Sequence, residues 1–340
     1  MLKIALVGFG NVGKSFTKVL INRAAELTRL GLEPCVVGVI ASRGGLINDK
    51  CISSRMLMEL VNKGLYNAFN FRVIDLMDLI KLKPDIAVVS IPPSYRTGEP
   101  NLTIYRLLMS EGTSVITADK TGLALAYWEL INESKARGVF LGFTATVMAG
   151  TPVIQLIKGL RGRVVENIQG VLNATSNYVL TLVENGLTMS EAIKRAIEDK
   201  IAEPDPSIDL GGLDAAAKAT ILANVLGLNV SLRNVNVQSL MNLNDDYVKE
   251  STRRGVRIKQ VASIDLPNRV ISVKPMEVPV NSVLGSITGN YNALIIRLND
   301  GREITVIGPT GPAEATAEVM FSDLLEYTDL LLTMGKRIKG

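Results

Sequence analysis

The sequence predicts an α/β chain with a doubly wound parallel sheet, followed by an α+β part with an antiparallel sheet. Three observations support this prediction. A glycine-rich turn joins a buried strand to a helix near the start, short apolar runs then alternate with helical patterns to about residue 143, and the later apolar runs follow one another with an Asp-Gly turn between two of them. Alternating strands and helices are typical of a parallel sheet, whereas consecutive strands are typical of an antiparallel sheet.

The predicted elements divide between two domains, covering residues 1–143 and 144–307, with the segment 308–340 returning to the first. In the first domain we expect strands at 3–7, 34–41, 85–91 and 114–116, and helices at 14–30, 102–111 and 123–137. In the second we expect strands at 164–172, 258–264, 269–275, 293–298 and 303–307, and helices at 173–184, 189–199 and from 213 onward. A last helix is expected at 313–325.

Composition limits the classes of protein that this chain can represent. With 340 residues, 47% of them hydrophobic, the chain exceeds the usual size of one domain. The net charge of +4 is too small for a nucleic-acid or membrane surface, and no apolar run is long enough to span a bilayer. Because a strand-like run begins at Leu2, no signal peptide is expected and the predicted location is cytoplasmic. Cys35 and Cys51 are able to pair, but in a cytosolic chain they are expected to remain thiols.

The chain contains no histidine. This excludes Ser-His-Asp and Cys-His nucleophilic sites and every metal site with histidine ligands. Any proton transfer must therefore use lysine, aspartate, glutamate, tyrosine or water.

The segment Gly8-Phe9-Gly10-Asn11-Val12-Gly13 follows the first predicted strand and precedes the first predicted helix. The first glycine permits a tight turn, the second lets a pyrophosphate approach the backbone, and the third lets helix and strand pack closely. The pyrophosphate would lie at the N-terminus of the helix. The segment predicts a Rossmann-type dinucleotide site, and the alternative is a glycine turn that serves only packing.

The end of the second predicted strand, Ala41-Ser42-Arg43, bears on the choice of cofactor. A dinucleotide fold that prefers NAD normally carries an acidic residue here, which binds the ribose hydroxyls. No carboxylate is present to repel a 2′-phosphate, and Arg43 is able to bind one, so NADP is favoured over NAD. The alternative is that Arg43 is a solvated loop residue.

Two further segments follow predicted strands at the edge where such folds open onto the nicotinamide side of the crevice. They are Ser90-Ile91-Pro92-Pro93 and Thr117-Ala118-Asp119-Lys120. Taken alone, Lys120 is interpreted equally well as a substrate contact and as a surface lysine.

The stretch 203–218, EPDPSIDLGGLDAAAK, brings together five charged residues, namely Glu203, Asp205, Asp209, Asp214 and Lys218. Its prolines and glycine pair predict a loop, and the alanines after them predict a helix. Asp214 and Lys218 lie one turn apart on that helix, whose other residues are so apolar that we expect it to be buried. A lysine in such a place needs carboxylate partners and suits proton transfer. The stretch therefore predicts an active site, and a surface ion pair is the simpler alternative.

These motifs resemble those of the homoserine dehydrogenase family, especially its short archaeal-type members without a C-terminal regulatory domain. The resemblance covers nearly the whole chain. It is carried by GFGNVG (8–13), TGEP (97–100), TADK (117–120), ATVMAGTP (145–152), NATSNY (173–178), the acidic stretch and GPTG (308–311).

The resemblance implies a homodimer that oxidises L-homoserine reversibly to L-aspartate 4-semialdehyde with NAD(P), in threonine and methionine biosynthesis. It implies that Lys218 is the acid–base lysine and that Lys120 is a second active-site lysine. The implied substrate contacts are Glu203, Asp209, Asp214 and Thr175. The expected cofactor contacts are Gly8, Phe9, Gly10, Asn11, Val12, Gly13, Ser42, Arg43, Ser90, Pro92, Gly308 and Gly311.

Three residues depart from the family pattern. Thr144 replaces a glutamate that belongs to a structural monovalent-cation site, whose other ligands are backbone carbonyls around Val147 and Ala149. A sodium ion is therefore expected to be weakly bound or absent. Ile201 replaces a frequent tyrosine and Ala174 replaces a glycine beside the substrate pocket, so these two positions leave the preferred substrate open.

Two alternatives to a homoserine dehydrogenase remain at this point. One is an oxidoreductase of the same architecture that acts on another short hydroxy or oxo amino acid. The other is a non-catalytic NADP-binding sensor, against which the presence of Lys120 and Lys218 argues, because a sensor needs no pocket lysines.

Overall fold

The computed structural model describes residues 1–67 and 71–333. Its strands are β1 (Leu2–Val7), β2 (Pro34–Ala41), β3 (Gly44–Ile47), β4 (Ile86–Val89), β5 (Ser114–Thr117), β6 (Leu141–Gly142), β7 (Val165–Val171), β8 (Asn236–Val237), β9 (Val256–Asp265), β10 (Val270–Pro279), β11 (Tyr291–Leu298) and β12 (Glu303–Pro309). Its α-helices are α1 (Asn11–Arg29), α2 (Ser54–Lys63), α3 (Leu76–Ile80), α4 (Asn101–Ser110), α5 (Lys120–Arg137), α6 (Val153–Gly159), α7 (Ala174–Glu184), α8 (Met189–Glu198), α9 (Ser207–Leu210), α10 (Leu213–Val225), α11 (Asp245–Arg253), α12 (Val283–Ser286) and α13 (Ala313–Thr333).

The chain forms two compact units, one made of residues 1–149 and 311–340 and the other of residues 150–310. The C-terminal helix α13 belongs to the first unit, where it packs against α1. Residues 334–340 of the predicted return segment lie outside the described residues.

The first unit contains a six-stranded sheet in the order β3-β2-β1-β4-β5-β6. Strands β2, β1, β4, β5 and β6 are parallel to one another, which confirms the predicted doubly wound sheet. The strands are buried on both faces because helices cover them, and Phe16 of α1 and Phe321 of α13 are fully buried in this core.

Strand β3 was not expected. It pairs antiparallel with β2 through a two-residue turn, Ser42-Arg43, so the chain reverses where the sequence analysis placed a loop. Gly44 adopts a φ of 125°, and a Cβ there would lie 2.2 Å from the carbonyl oxygen of Arg72. A glycine is therefore required for this hairpin, and its two glycines weakened the strand signal in the sequence.

The second unit contains a six-stranded sheet in the order β12-β11-β7-β9-β10-β8. All pairs are antiparallel except that of β10 with β8, so the predicted α+β character is confirmed. Ile264, Ile168 and Ile296 are successive partners across three strands and are buried on one face. Helix α10 packs against β9 and β10.

The acidic stretch is less irregular than expected. One turn of helix, α9, interrupts it after Pro206, and α10 then begins at Leu213 as predicted. A proline is compatible with the first positions of a helix, where no intrahelical N–H bond is required. The sequence analysis also missed α2, α3, α6, α11, α12, β6 and β8.

Cys35 and Cys51 form a disulfide bond, so the prediction that they remain thiols is wrong. The chain returns along β2 after β3, and the N–H of Ile52 donates to the carbonyl of Val36. This places the cysteine Cα atoms 5.1 Å apart, which is a usual distance for a disulfide. The sequence prediction rested on the expected compartment and contained no information on this proximity.

Candidate active site

Lys218 and Asp214 form an ion pair on the first turns of α10. Lys218 Nζ lies 2.7 Å from Asp214 Oδ2, and the two side chains are only 13% and 7% exposed. The same ammonium donates a hydrogen bond of 2.7 Å to the carbonyl oxygen of Leu172, directly after β7. The helix after Asp214 is otherwise almost wholly buried. A buried ion pair is held in one geometry by these contacts, unlike a surface pair.

Asn173 joins the two aspartates of the cluster. Its Nδ2 donates to Asp209 Oδ1 at 2.6 Å and to Asp214 Oδ2 at 2.8 Å, while its Oδ1 accepts the N–H of Ser176 and caps α7. Asn173 was not among the predicted site residues, although it opens the NATSNY segment. Its position directly after a strand and before a helix was the available signal, because such asparagines are good N-caps.

The turn before α10 has a backbone that glycine alone permits. Gly212 adopts a φ of 88°, and a Cβ there would lie 2.8 Å from Val237 Cγ1. A Cβ on Gly211 would lie 2.3 Å from the carbonyl oxygen of Ser207. Gln260 of β9 donates to the carbonyl oxygens of Asp209 and Leu210 at 3.3 Å, which fixes the turn against the sheet.

The other predicted substrate contacts, Thr175 and Glu203, differ in exposure. Thr175 is buried in the first turn of α7, and its hydroxyl donates to the carbonyl of Ile201 at 3.1 Å. Ala174, beside Asn173, is 8% exposed. Glu203 is exposed, and within the described residues it makes no hydrogen bond with the cluster.

The predicted dinucleotide turn lies between β1 and α1 in the first unit. Gly8 adopts a φ of 89°, and a Cβ there would lie 2.3 Å from the carbonyl oxygen of Ser90. A Cβ on Gly13 would lie 2.5 Å from the carbonyl oxygen of Gly8, whereas a Cβ on Gly10 would meet nothing within 4 Å. Gly8 and Gly13 are therefore required for packing, and Gly10 leaves open space beside the helix N-terminus, where a pyrophosphate fits.

The remaining residues of the glycine-rich motif differ in how far they are buried. Phe9 is buried in the core of the first unit, so its side chain serves packing. Asn11 and Val12 begin α1, where the N–H groups have no partner within the helix. These donors suit an anionic ligand.

The turn between β2 and β3 presents Ser42 and Arg43, and both contact Tyr66. The Arg43 guanidinium lies over the Tyr66 ring, with Cζ 3.7 Å from the ring centroid. The Ser42 hydroxyl lies 3.4 Å from the Tyr66 hydroxyl. The hydrogen bond with Ser42 and the charge of Arg43 lower the pKa of Tyr66 below its ordinary value. Tyr66 was missed by the sequence analysis, since no strand end or motif marks it.

The two predicted nicotinamide-side segments are linked through Asp119. Its Oδ2 accepts hydrogen bonds from Asn101 Nδ2 at 2.9 Å and from the Tyr105 hydroxyl at 3.0 Å. Asn101 also donates to the carbonyl of Pro92 at 3.0 Å. Burial and the charge of Asp119 raise the pKa of Tyr105 well above its ordinary value, which keeps the phenol a donor.

Asp119 also caps the helix that begins with the half-buried Lys120. Its Oδ1 accepts the N–H of Thr121 at 3.0 Å and the Thr121 hydroxyl at 2.7 Å. The Thr121 hydroxyl in turn accepts the N–H of Ser94 at 3.1 Å. Ser90, at the end of β4, donates its hydroxyl to the carbonyl of Gly8 at 3.1 Å. One buried carboxylate thus orders the surroundings of Lys120, and Ser90 is tied to the glycine turn.

Gly308 and Gly311 lie in different units. A Cβ on Gly308 would lie 2.2 Å from Thr151 Oγ1, and a Cβ on Gly311 would lie 2.5 Å from the Ala315 Cβ. Close packing accounts for both glycines, and their contact with a cofactor stays a prediction.

The residues of the predicted cation site do not supply a carboxylate at position 144. The Thr144 hydroxyl donates to Asp323 Oδ1 at 2.6 Å, and the Thr144 N–H donates to Asp323 Oδ2 at 3.0 Å. Across residues 1–67 and 71–333, no group of three or more histidine, cysteine, aspartate or glutamate side chains is arranged to hold a metal. A sodium ion at the carbonyls of Val147 and Ala149 stays a prediction.

A dinucleotide turn in one unit and a buried lysine–carboxylate cluster in the other are the parts that a nicotinamide-dependent dehydrogenase requires. The chain belongs to that class of oxidoreductase. In the described part of the chain, no helix is both long and apolar enough to cross a membrane.

Comparison with known proteins identifies the family. A sequence model described as homoserine dehydrogenase matches residues 152–325. A homoserine dehydrogenase from Sulfurisphaera tokodaii is 36% identical over 95% of this chain and 98% of its own length. An NAD(+)-dependent homoserine dehydrogenase from Pseudomonas canavaninivorans is 30% identical over 95% of each. The structure of a hyperthermophilic archaeal homoserine dehydrogenase mutant in complex with NADPH superposes with a TM-score of 0.83 and 29% identity, over 97% of this chain and 98% of that one. The chain belongs to the homoserine dehydrogenase family.

Proposed function

We propose that this chain oxidises L-homoserine reversibly to L-aspartate 4-semialdehyde, with Lys218 as the acid–base residue and NADP as the preferred cofactor. The observation that carries the proposal is the Lys218 ammonium, on a side chain only 13% exposed, which Asp214 and the carbonyl of Leu172 hold in one place. A positioned ammonium is able to donate a proton to an alkoxide as it forms, and the neutral amine takes the proton back in the oxidation direction.

The carboxylates beside Lys218 suit the other end of the substrate. Homoserine carries an ammonium group, and Asp209 and Asp214 offer charge-assisted acceptors that Asn173 holds near each other. Glu203 and Thr175 are proposed as further substrate contacts, and Lys120 as the second lysine that orients the substrate. When bound, the nicotinamide accepts or supplies the hydride, and the residues of this chain position the substrate and move one proton.

The NADP preference rests on the turn Ser42-Arg43. Arg43 is exposed, and no carboxylate of residues 1–67 and 71–333 forms an ion pair with it. An arginine without a carboxylate partner suits the 2′-phosphate, whereas the ribose hydroxyls of NAD call for an acceptor. The proposed contacts of the pyrophosphate are the N–H groups of Asn11 and Val12 beside Gly10.

Homoserine oxidation is tested by following nicotinamide reduction at steady state with L-homoserine and either NADP or NAD. We expect turnover with both and a much lower KM for NADP. An absence of reduction with either cofactor, although the cofactor binds, would contradict the proposed substrate. Turnover with equal KM values would contradict the cofactor preference alone.

A second candidate is an oxidoreductase for another short hydroxy amino acid. It is favoured by Ala174, whose methyl group lies buried beside Asn173, and by Ile201, whose carbonyl rather than a side-chain hydroxyl faces Thr175. Comparison of kcat/KM for homoserine with that of its shorter and longer hydroxy homologues separates the two. A homologue that is preferred at least tenfold would replace homoserine as the substrate.

We further propose a cytoplasmic homodimer that forms through the sheet of the second unit. Val270, Tyr291 and Ile307 lie on the same sheet face by their strand pairing, and they are 53%, 45% and 48% exposed. Exposed apolar side chains of a sheet are able to contribute to an interface between two copies of the chain. Light scattering of the purified protein measures the mass, and a monomeric mass at micromolar concentration would contradict the proposal.

A further inference from the structure

Tyr66 contacts both residues of the turn between β2 and β3. The Arg43 guanidinium stacks on one face of its ring, 3.7 Å from the centroid, and Ser42 lies 3.4 Å from its hydroxyl. Tyr66 also meets Phe71 edge to face, with ring centroids 5.5 Å apart and an interplanar angle of 81°. Tyr66 thus contacts both turn residues and is itself packed against Phe71.

The contact with Tyr66 engages only part of the hydrogen-bonding capacity of Arg43. A guanidinium stacks through its flat face, whereas its five N–H donors point outward in the plane of the group. A phosphate oxygen is therefore able to accept from Arg43 while the stack is kept. Stacking also restricts a long flexible side chain before binding, which lowers the entropy lost when the phosphate binds.

The location of the turn indicates which phosphate group of a dinucleotide Arg43 would contact. It follows β2, the strand after which Rossmann-type folds bind the adenosine ribose, and an acidic residue normally stands there in NAD-specific folds. In this chain the turn offers a serine hydroxyl and an arginine instead.

We propose that Tyr66 is a specificity-determining residue for the cofactor, which positions Arg43 and Ser42 for the 2′-phosphate of NADP. The inference rests on the proposed NADP preference and adds to it a residue that lies outside the strand-end segment. Tyr66 acts through Arg43 and Ser42, so its role is that of a positioning residue.

The test measures binding by calorimetry with two nucleotides that differ only in the 2′-phosphate, adenosine 2′,5′-bisphosphate and adenosine 5′-monophosphate. The full chain is used as wild type and as the variants Tyr66→Leu, Tyr66→Phe and Arg43→Ala. Tyr247→Leu is the matched control, because Tyr247 is also exposed and hydrogen-bonded but lies in the second unit. Thermal unfolding of each variant verifies that it is folded.

We expect Tyr66→Leu to weaken binding of the bisphosphate by about three- to tenfold and that of the monophosphate by less than about twofold. Tyr66→Phe keeps the aromatic ring beside Arg43 and should retain most of the wild-type affinity for the bisphosphate. Arg43→Ala should lower that affinity more than Tyr66→Leu does. Tyr247→Leu should match the wild type.

Two results would overturn the inference, and they differ in what they say of the cofactor. If Arg43→Ala abolishes the preference for the bisphosphate but Tyr66→Leu leaves it unchanged, the NADP preference stands and the role of Tyr66 is wrong. If the wild type binds both nucleotides equally, the proposed NADP preference and the role of Tyr66 both fail, while homoserine oxidation is unaffected.

Discussion

Asn173 and Asp214 are joined by a hydrogen bond of 2.8 Å across 41 residues of chain. The bond connects the residue that caps α7 with the first turn of α10, and the same amide group reaches Asp209. The hydrogen bonds of Asn173 therefore join the acidic stretch to the segment that follows β7. Lys218 makes the same connection, since it contacts both Asp214 and the carbonyl of Leu172.

Lys218→Ala should lower kcat for homoserine oxidation by about 10²- to 10⁴-fold, as expected when a general acid–base group is removed. Binding of NADP should change little, because the cofactor motif lies in the first unit. Steady-state kinetics and cofactor titration measure the two effects. Lys194→Ala, at an exposed position of α8, is the control and should behave as wild type. Turnover of the Lys218 variant within a factor of a few of wild type would disprove its role.

Asn173→Ala should both destabilise the protein and impair use of the substrate. Loss of the cap costs about 1 kcal/mol of unfolding free energy, and two carboxylates lose the donor that holds them close together. We expect kcat/KM for homoserine to fall more than tenfold while the KM for NADP is retained. Asn185→Ala, at the exposed C-terminal end of α7, is the control. A variant that is less stable but kinetically unchanged would limit Asn173 to capping.

Asp119→Asn should lower kcat and stability although the two side chains have the same shape. Both Asp119 oxygens accept hydrogen bonds, so an amide nitrogen in either position would face donors from Thr121 or from Asn101 and Tyr105. One unsatisfied buried donor costs about 1–3 kcal/mol of unfolding free energy. Denaturant unfolding and steady-state kinetics measure the two effects.

The control for Asp119→Asn is Asp75→Asn, which changes an exposed N-cap at α3. Asparagine caps helices as well as aspartate does, so that variant should keep wild-type stability. Equal behaviour of the two variants would show that the buried carboxylate of Asp119 is not required.

The disulfide between Cys35 and Cys51 should stabilise the first unit. The bond closes a loop across 16 residues, for which restriction of the unfolded chain predicts about 3 kcal/mol of unfolding free energy. Cys51→Ser should lower stability by about this amount in denaturant unfolding. The chain has no other cysteines, so a reductant should have the same effect on the wild type and none on the Cys35→Ser/Cys51→Ser double variant. Wild-type stability that is insensitive to reduction would contradict this.

Lys259 should make stability rise with pH in the alkaline range. Burial lowers its pKa from 10.5 to about 8, and the neighbouring Glu184 opposes the shift only in part. Between these values the unfolded chain binds more protons than the folded chain, so the free energy of unfolding rises with pH, by about 3 kcal/mol in total. Below pH 8 the ionisation of Lys259 does not make the free energy of unfolding depend on pH. Burial raises the pKa of Glu184, which gives a fall in stability with rising pH just above its ordinary value of 4.5.

Denaturant unfolding of the wild type and of Lys259→Met between pH 7 and pH 10.5 measures this contribution. The rise should be absent from the variant. Parallel pH profiles for the two proteins would show that Lys259 keeps an ordinary pKa. Lys274→Met, at an exposed position on the neighbouring strand β10, is the control and should keep the wild-type profile.

The sequence by itself determined the elements whose signal is local. The β1 strand, the glycine turn and α1 were predictable because a buried strand, a tight turn and a helix have distinct local patterns. The partnership of Asp214 and Lys218 was predictable for the same reason, since residues four apart on a helix share a face. The sequence also excluded histidine chemistry outright.

Only the tertiary structure decided which distant residues meet. Asn173 reaches Asp214 and Asp209, and Tyr66 reaches Arg43, across stretches of chain in which no periodicity records the pairing. The disulfide and the hairpin strand β3 likewise depend on how the chain returns along β2. Such contacts are set by the packing of whole elements, because the free energy of burying their apolar faces outweighs local preference.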